Sequence, residues 1–580
     1  MFERKHYLIA DKFKQYLLPT ILMSLSNSMA IVIDGMIVGN LLGAKELAAV
    51  NLAMPLSLTF STIFSLIGVG GSTLMSIARG ARDIGKARQV FSISFMFLFL
   101  SSVIFPLIGL FFMTQSTSIM SSQANLNSLV SDYTRVLLFG APFIMIVSGL
   151  TYFIRSDGFP KYASKILIVS NVVNLSMDII LVRFFGFGIA GAAYATVIGY
   201  FVGALMILYF MLKIKHQLKF GKISKNFISE TFSIITTGIT SAFGQIFIFT
   251  KIICINHIVL NTLGTAGMIA FSVCLSCLSL VSLFIAGATQ TMMPIVGVMF
   301  GEKDWQGIKF AVMPALKFVL YSAIVLIAGF LILPKQILAL YGVHEQEYLK
   351  TGIEALRYFS PSLFGVGFSF VMMYYNQAIN RKALAIAISI VQGLSVIPLA
   401  YFLSQLFGGK GIWLSFSITE VITALMIFSV SIYIRNKYKN QYDTVFLFNK
   451  RYNHKELDLT IKCNPESAVG LSQKISEFAL QEGINQKTSM LVGLASEEMA
   501  MYIINNCASN KHIDVMVKIN SNEVILRFRD EGLPLNPTLC NDDIENCPNI
   551  FLLKKIASNI DYVRIIGLNS TIITLKTMES

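Results

Sequence analysis

Hydrophobic runs separated by short polar loops occupy residues 16–434 of the chain. A run of about 20 apolar residues is the length that a helix needs to cross a bilayer. Runs of this kind begin near Tyr16, Asn51, Val90, Tyr133, Ser164, Ile189, Phe232, Gly267, Ala311, Phe359, Ala383 and Ile412. The pattern predicts an all-α polytopic membrane region with twelve spanning helices, the last of which ends near Ile434.

The two halves of this region resemble each other at a spacing of 220 or 221 residues. Three motifs recur: Leu42-Gly43 as Leu263-Gly264, Gly80-Ala-Arg-Asp83 as Gly301-Glu-Lys-Asp304, and Gly188-Ile-Ala-Gly191 as Gly408-Gly-Lys-Gly411. Because each half holds an even number of predicted spans, both halves enter the membrane in the same direction. Parallel repeats of this kind are typical of transporters, with the substrate path between them. We predict two six-helix lobes, at 1–221 and 222–436.

The pattern changes after a basic linker at 437–455. Apolar and polar residues then alternate, as in half-buried strands, at 457–463, 513–519, 523–529 and 571–576. Amphipathic helices are predicted at 466–481, 486–506 and 549–559. The sequence therefore predicts a small soluble α/β-sandwich domain at 456–580.

The charge distribution predicts how the chain is oriented. Only 13% of the residues are charged, against about 25% in soluble domains. The net charge of +14 comes from Lys and Arg in alternate loops, with Arg155 among the predicted loop cations, whereas residues 114–131 and 258–266 contain neither. Basic loops stay in the cytoplasm, so we expect both termini there, in a plasma-membrane protein that does not bind nucleic acid. The charged start precedes a full-length span, so no cleavable signal peptide is expected.

Four charged residues are expected to face the membrane interior, Asp34, Asp178, Lys251 and Glu420, and each is costly in hydrocarbon. Asp34 belongs to the first span. Asp178 lies in the fifth, four residues after Asn174, so both side chains share one helix face. Thr196 follows the glycine-rich turn at the same predicted depth as Asp178. A cluster of Asp34, Asn174, Asp178 and Thr196 could hold H⁺ or Na⁺; the alternative is a hydrogen-bond cluster that only packs helices.

The second half has no equivalent pair of carboxylates. Lys251 and Glu420 are the two other charges, and Gln245 and Asn256 are polar neighbours of Lys251 in the sequence. We expect these four residues to line a cavity. For Lys251 the alternatives are snorkelling or pairing, and for Glu420 either a second proton site or a structural hydrogen bond.

Motifs spread over residues 10–435 resemble the multidrug and toxic compound extrusion (MATE) family of antiporters. They are Asp34-Gly-Met-Ile-Val-Gly39, Gly80-Ala-Arg-Asp83, Arg155-Ser-Asp-Gly158-Phe-Pro160, Asn174-Leu-Ser-Met-Asp178, Gly188-Ile-Ala-Gly191-Ala-Ala-Tyr-Ala-Thr196 and Gly411-Ile-Trp413. The resemblance implies a transporter without catalytic residues, embedded in lipid, that exports amphipathic, often cationic compounds against Na⁺ or H⁺ by alternating access. In one bacterial branch of the family, the residues at the positions of Asp34, Asn174, Asp178 and Thr196 form the cation site.

The tail resembles the ATP-binding domain of histidine kinases and of anti-sigma-factor serine kinases. Arg529-Asp530-Glu-Gly532-Leu-Pro534 matches the box whose Asp contacts adenine, and Asn569 lies in a segment like the closing strand. Glu498 matches the catalytic base, and Asn506 is one turn beyond the position of the magnesium-binding Asn. The resemblance implies ATP and Mg²⁺ as ligands.

Two positions depart from that family's pattern. Tyr502 stands where the magnesium-binding Asn is expected, and Asn549 replaces the glycine that begins the lid. Alternatives therefore stay open: a degenerate domain that binds a cytoplasmic regulatory protein, or a membrane-anchored sensor or serine kinase. A lipid-precursor flippase of the same fold is a third, and it would need a strongly cationic central cavity.

Overall fold

The computed structural model describes residues 4–113, 115, 124–223, 226–341, 343–439, 441–442, 444, 446–448, 455–506, 512–540 and 547–577. The chain forms two compact units. Unit 1 gathers Met1–Lys14, Asp304–Phe310 and Ile434–Ser580, and unit 2 contains Gln15–Lys303 and Ala311–Tyr433. Part of the predicted linker at 437–455 lies outside the described residues.

Helices make up almost all of the chain up to residue 437. Their bounds are α1 Tyr7–Leu41, α2 Ala44–Leu52, α3 Met54–Gly80, α4 Ile84–Phe111, α5 Ala124–Ser156, α6 Pro160–Asp178, α7 Gly188–Lys213, α8 Phe227–Gly301, α9 Trp305–Ile332, α10 Pro334–Leu340, α11 Gln346–Phe359, α12 Ser362–Ala378, α13 Lys382–Leu394, α14 Val396–Phe407 and α15 Gly409–Lys437. A π-helical segment, Ile179–Phe184, follows α6 directly.

Ten helical stretches of the described chain are long and apolar enough to cross a membrane. One of them, α8, has 75 residues and includes both predicted starts at Phe232 and Gly267. Its backbone leaves the helical conformation at Gly264, with φ 59° and ψ −145°. Helix α12, in a region predicted as a span, has only 17 residues. The chain is a multi-pass helical membrane protein, and the number of twelve spans remains a prediction.

Left-handed backbone positions recur at the spacing of the sequence repeat. Gly43 and Gly264 have φ 122° and 59°, and Gly188 and Gly408 have φ 56° and 57°. Arg82 and Lys303 match as well, with φ 62° and 57°. Positive φ is strained for residues with a side chain, and it recurs at corresponding turns in both halves.

Glycines bring the two halves into close contact along α3 and α8 in unit 2. A Cβ atom on Gly80 would overlap the carbonyl of Val298, and one on Gly301 would overlap the carbonyl of Ile77. Gly70 and Gly238 show the same restriction further along the two helices. The backbones therefore approach as closely as small residues allow, which is how packing stabilises helix pairs in lipid.

Unit 1 contains a five-stranded antiparallel sheet. Its strands, β1 Glu456–Lys462, β2 His512–Ile519, β3 Glu523–Asp530, β4 Asn559–Ile565 and β5 Leu568–Lys576, lie in the order β1-β2-β3-β5-β4. The helices α16 Pro465–Gln481, α17 Gln486–Asn506 and α18 Pro548–Ile556 share one apolar core with the sheet. The predicted strands and helices are present, but β4 was not predicted, and the last helix ends at Ile556 instead of residue 559.

Candidate ion-binding cluster and central cavity

The four polar residues predicted for the first half lie together in unit 2. The carboxyl groups of Asp34 and Asp178 lie within hydrogen-bonding reach of each other. The Asn174 amide nitrogen donates to Asp178 Oδ2 at 3.4 Å and to Thr196 Oγ1 at 3.2 Å. One amide on α6 therefore links a carboxylate on its own helix with a hydroxyl on α7.

The carboxyl pair is suited to holding one proton or one small cation. Two ionised carboxylates this close together repel strongly, so a single proton or small cation between them would relieve the repulsion. Asp34 Oδ1 and Asp178 Oδ1 are both buried and have no hydrogen-bond partner among the described residues. The π-helical segment begins immediately after Asp178, and such segments occur frequently at functional sites.

Further polar residues that the sequence analysis missed extend this cluster. Asn171 donates to Asn27 Oδ1 at 2.7 Å and to Ser26 Oγ at 3.1 Å, between α6 and α1. Asn27 precedes Asp34 by seven residues, and Asn171 precedes Asp178 by seven, so each pair shares a helix face. The shared spacing of seven residues was the sequence signal that could have added Asn27 and Asn171 to the predicted cluster.

A cavity of about 290 Å³ lies among helices of both halves within unit 2. Its lining combines aromatic and aliphatic side chains with serine hydroxyls and glutamine amides, as in small-molecule sites. Of the residues predicted to line it, Gln245 and Lys251 do so, whereas Asn256 and Glu420 are not among its lining residues. Glu420 is buried and accepts hydrogen bonds from Ser369 at 2.8 Å and from Gln392 at 3.2 Å.

Arg155 does not behave as the loop cation that the sequence suggested. It ends α5, is only 3% exposed, and lines a smaller cavity whose wall shares Tyr152, Gln290 and Tyr374 with the larger one. Its guanidinium donates to Gln290 Oε1 at 2.7 Å. Arg155 is therefore a buried charge, whereas the nearby Lys161 and Lys165 are exposed.

In unit 1 the structure joins three of the five residues proposed for nucleotide contact. Asp530 Oδ1 accepts from the Gly532 amide and from Asn569 Nδ2, each at 2.8 Å. The other two lie on α17 with different partners. Glu498 accepts from Asn549, and Asn506 donates to the carbonyl of Tyr502. Asn549, which stands where the lid is expected to begin, therefore donates a hydrogen bond to Glu498, the residue that matches the catalytic base.

A buried ion network connects the three stretches of unit 1. The Arg4 guanidinium contacts both carboxylate oxygens of Asp304, at 2.6 and 2.7 Å, and Arg529 contacts Oδ2 at 2.6 Å. Asp304 Oδ1 also accepts from the Gly307 amide at the start of α9. Burial alone would raise the pKa of Asp304, but Arg4 and Arg529 hold that pKa well below its usual range.

Two repeated helical halves with a cavity between them are an architecture typical of secondary transporters. The MatE family signature matches residues 19–180 and 240–402, which together exceed half of the chain. The chain belongs to the MatE family of membrane transporters.

Individual relatives agree with this assignment. The chain is 26% identical over 429 residues to the multidrug export protein MepA of Staphylococcus haemolyticus. The aligned residues cover 72% of this chain and 92% of that protein. It is 31% identical over 217 residues to the probable multidrug resistance protein YoeA of Bacillus subtilis, covering 37% of this chain and 47% of the relative. The fold matches the outward-facing structure of a multidrug resistance MATE family transporter with a TM-score of 0.68 at 21% identity, over 74% of this chain and 97% of that one.

Proposed function

We propose that the chain is an antiporter that exports small amphipathic compounds from the cell in exchange for H⁺ or Na⁺. The relatives named as multidrug export proteins support the class of substrate. The close carboxyl pair Asp34 and Asp178, with Asn174 and Thr196 beside it, is the observation on which ion coupling rests. Binding of the ion neutralises a buried charge pair, and that change favours one of two lobe arrangements.

The proposed topology has twelve crossings in the plasma membrane with both termini in the cytoplasm. It divides α8 at Gly264 into two spans and counts α11–α12 as one. The loops rich in Lys and Arg support the orientation, because such loops remain on the cytoplasmic side.

The test is export of two dyes, cationic ethidium and anionic fluorescein, from proteoliposomes under a pH or a sodium gradient imposed in turn. Asp34→Asn and Asp178→Asn remove the exchangeable charge while keeping the size of the side chain. We expect both variants to lose gradient-driven export and to retain normal insertion and yield. The matched control is Asp132→Asn, which changes an exposed carboxylate of α5 and should export like the wild type.

Full export by both variants would contradict the proposed ion site. Export that continues with both gradients collapsed would contradict ion coupling itself. The gradient whose removal stops export identifies the ion.

We further propose that the tail is a cytoplasmic regulatory domain that binds a nucleotide at Asp530. The convergence of Asp530, Gly532 and Asn569 supports this proposal. Arg529, the neighbour of Asp530, contacts Asp304, which lies between α8 and α9 and caps the start of α9. A nucleotide bound beside Arg529 could therefore influence α9 through the contact between Arg529 and Asp304.

A titration of the full-length protein with a fluorescent ATP analogue and Mg²⁺ tests this domain. We expect saturable binding that Asp530→Asn abolishes and Asp561→Asn preserves. No saturable binding to the wild type would contradict the nucleotide site. Transfer of a labelled γ-phosphate to protein would favour the kinase alternative over regulation.

A further inference from the structure

The central cavity presents positive charge to its contents. Lys251 lines the main cavity, and Arg155 lines the smaller cavity that shares part of its wall. Within the described part of the chain, no Asp or Glu lines either cavity. The remaining polar lining consists of hydroxyl and amide groups, which can donate hydrogen bonds to an acceptor.

Neither cation is neutralised by a directly contacting carboxylate. Arg155 has neutral partners, Gln290 Oε1 at 2.7 Å and Met23 Sδ at 3.2 Å. Among the described residues none forms a hydrogen bond or ion pair with Lys251. Glu420 is near enough to interact with Lys251 electrostatically, but Ser369 and Gln392 hold its two oxygens. Glu420 therefore offsets the charge of Lys251 from outside the cavity, and no carboxylate of the described residues contacts Arg155.

An unbalanced charge in a cavity with mainly apolar walls is costly, and an arriving anion relieves that cost whereas a cation increases it. We infer that the cavity takes amphipathic compounds carrying an anionic group, which contacts Lys251 Nζ while an apolar body packs on Phe247, Phe370 and Tyr374. This inference rests on the proposed export function, and it differs from the cationic substrates that the family resemblance implies.

Two dyes with the same xanthene ring system and opposite charge test the inference. Fluorescein is the anionic probe and tetramethylrhodamine methyl ester the cationic one. Binding to the purified full-length protein is measured by fluorescence anisotropy, and export is measured in the proteoliposomes described above. We expect fluorescein to bind more tightly than the cation, Lys251→Gln to weaken fluorescein binding at least tenfold, and Lys251→Arg to restore it.

Lys317→Gln is the control, because it removes an exposed lysine of α9 that does not line the cavity. A third arm measures movement of a fluorescent phosphatidylglycerol between leaflets; movement that depends on Lys251 identifies a lipid as the source of the anionic group. Unchanged fluorescein affinity in Lys251→Gln overturns the inference. Gradient-driven export of the cation alone overturns it while leaving the proposed function intact, whereas fluorescein binding with no export of either dye overturns only the export function.

Discussion

At the scale of single residues, the amide of Asn174 organises the ion cluster. It donates to Asp178 and Thr196 at once, so the oxygens of both point toward the same place. Thr196 also donates to the carbonyl of Ala192, which leaves its oxygen as an acceptor for Asn174. The hydroxyl therefore orients the amide, and the amide orients the carboxylate.

Thr196→Ala removes this acceptor, and Thr196→Ser keeps it. A lost hydrogen bond of this kind costs about 1 kcal/mol, so we expect the apparent affinity for the coupling ion to fall roughly fivefold in the alanine variant. The serine variant should stay near the wild type. The measurement is the export rate as a function of ion concentration, and equal affinities for all three proteins would contradict an orienting role.

The sequence allowed the prediction of the charged members of this cluster because an ionisable group in an apolar run is conspicuous. Asn27 and Asn171 were missed because an isolated amide in a long helix is a weak signal until its partner is known. Arg155 was misassigned for a different reason. A cation near a helix end resembles a loop cation, and only the packing of α5 shows that it is buried.

At the scale of elements, the internal repeat is most visible in the turns between helices, where glycines with positive φ recur. Gly264 adopts φ 59° and ψ −145° within α8, a region open essentially to glycine alone. A Cβ atom there would meet no atom within 4 Å. Any cost of substitution at this position therefore comes from the backbone conformation and not from crowding.

Gly264→Ala should destabilise the protein by about 1–3 kcal/mol through this strain. Gly329→Ala, at a helical glycine of α9 with equally open surroundings, should be neutral or slightly stabilising. Thermal unfolding of the two variants in detergent provides the comparison. Equal melting temperatures of the two variants would show that the backbone at residue 264 can leave its positive-φ conformation with no loss of stability, which would contradict the prediction.

The glycine motifs made the turns at glycine predictable. The positive φ of Arg82 and Lys303 could not be predicted in the same way, because neither residue type favours positive φ. Strand β4 was missed for a related reason. All but one of its residues are exposed or half-buried, so the strand at the edge of the sheet lacks the alternation that identified the others. Local pattern identifies an element only where one face is clearly buried.

At the scale of the whole molecule, the repeat has given one carboxylate two roles. Asp83 and its counterpart Asp304 both cap a helix, accepting from the amides of Lys86 and Gly307. Only Asp304 also binds two arginines, and it is 1% exposed. Nothing in the first half indicates this second role, so it could not be predicted from the repeat.

Asp304→Asn keeps the cap but leaves Arg4 and Arg529 buried beside a neutral group. Removing one member of a buried ion network costs about 3–5 kcal/mol, so we expect a loss of this size in the stability of unit 1. Asp83→Asn is the matched control and should be nearly neutral, because Asn caps as well as Asp. Trp305 fluorescence during urea unfolding, in a Trp413→Phe background, reports the difference.

The pH dependence of this difference has a definite sign. Because the pKa of Asp304 is lowered in the folded chain, its contribution is fully present above the ordinary carboxyl pKa of about 4. The gap between the wild type and Asp304→Asn should therefore be constant from about pH 5 to 8 and close under more acidic conditions. A gap that narrowed near neutral pH would contradict the assignment.

The two arginines of this network also determine when unit 1 can be completed during synthesis. Arg4 is translated 300 residues before Asp304, and Arg529 is translated 225 residues after it. A ribosome that has not yet reached Arg529 carries a nascent chain in which Asp304 has one arginine at most. Unit 1 therefore completes its folding only after all of unit 2 has been made.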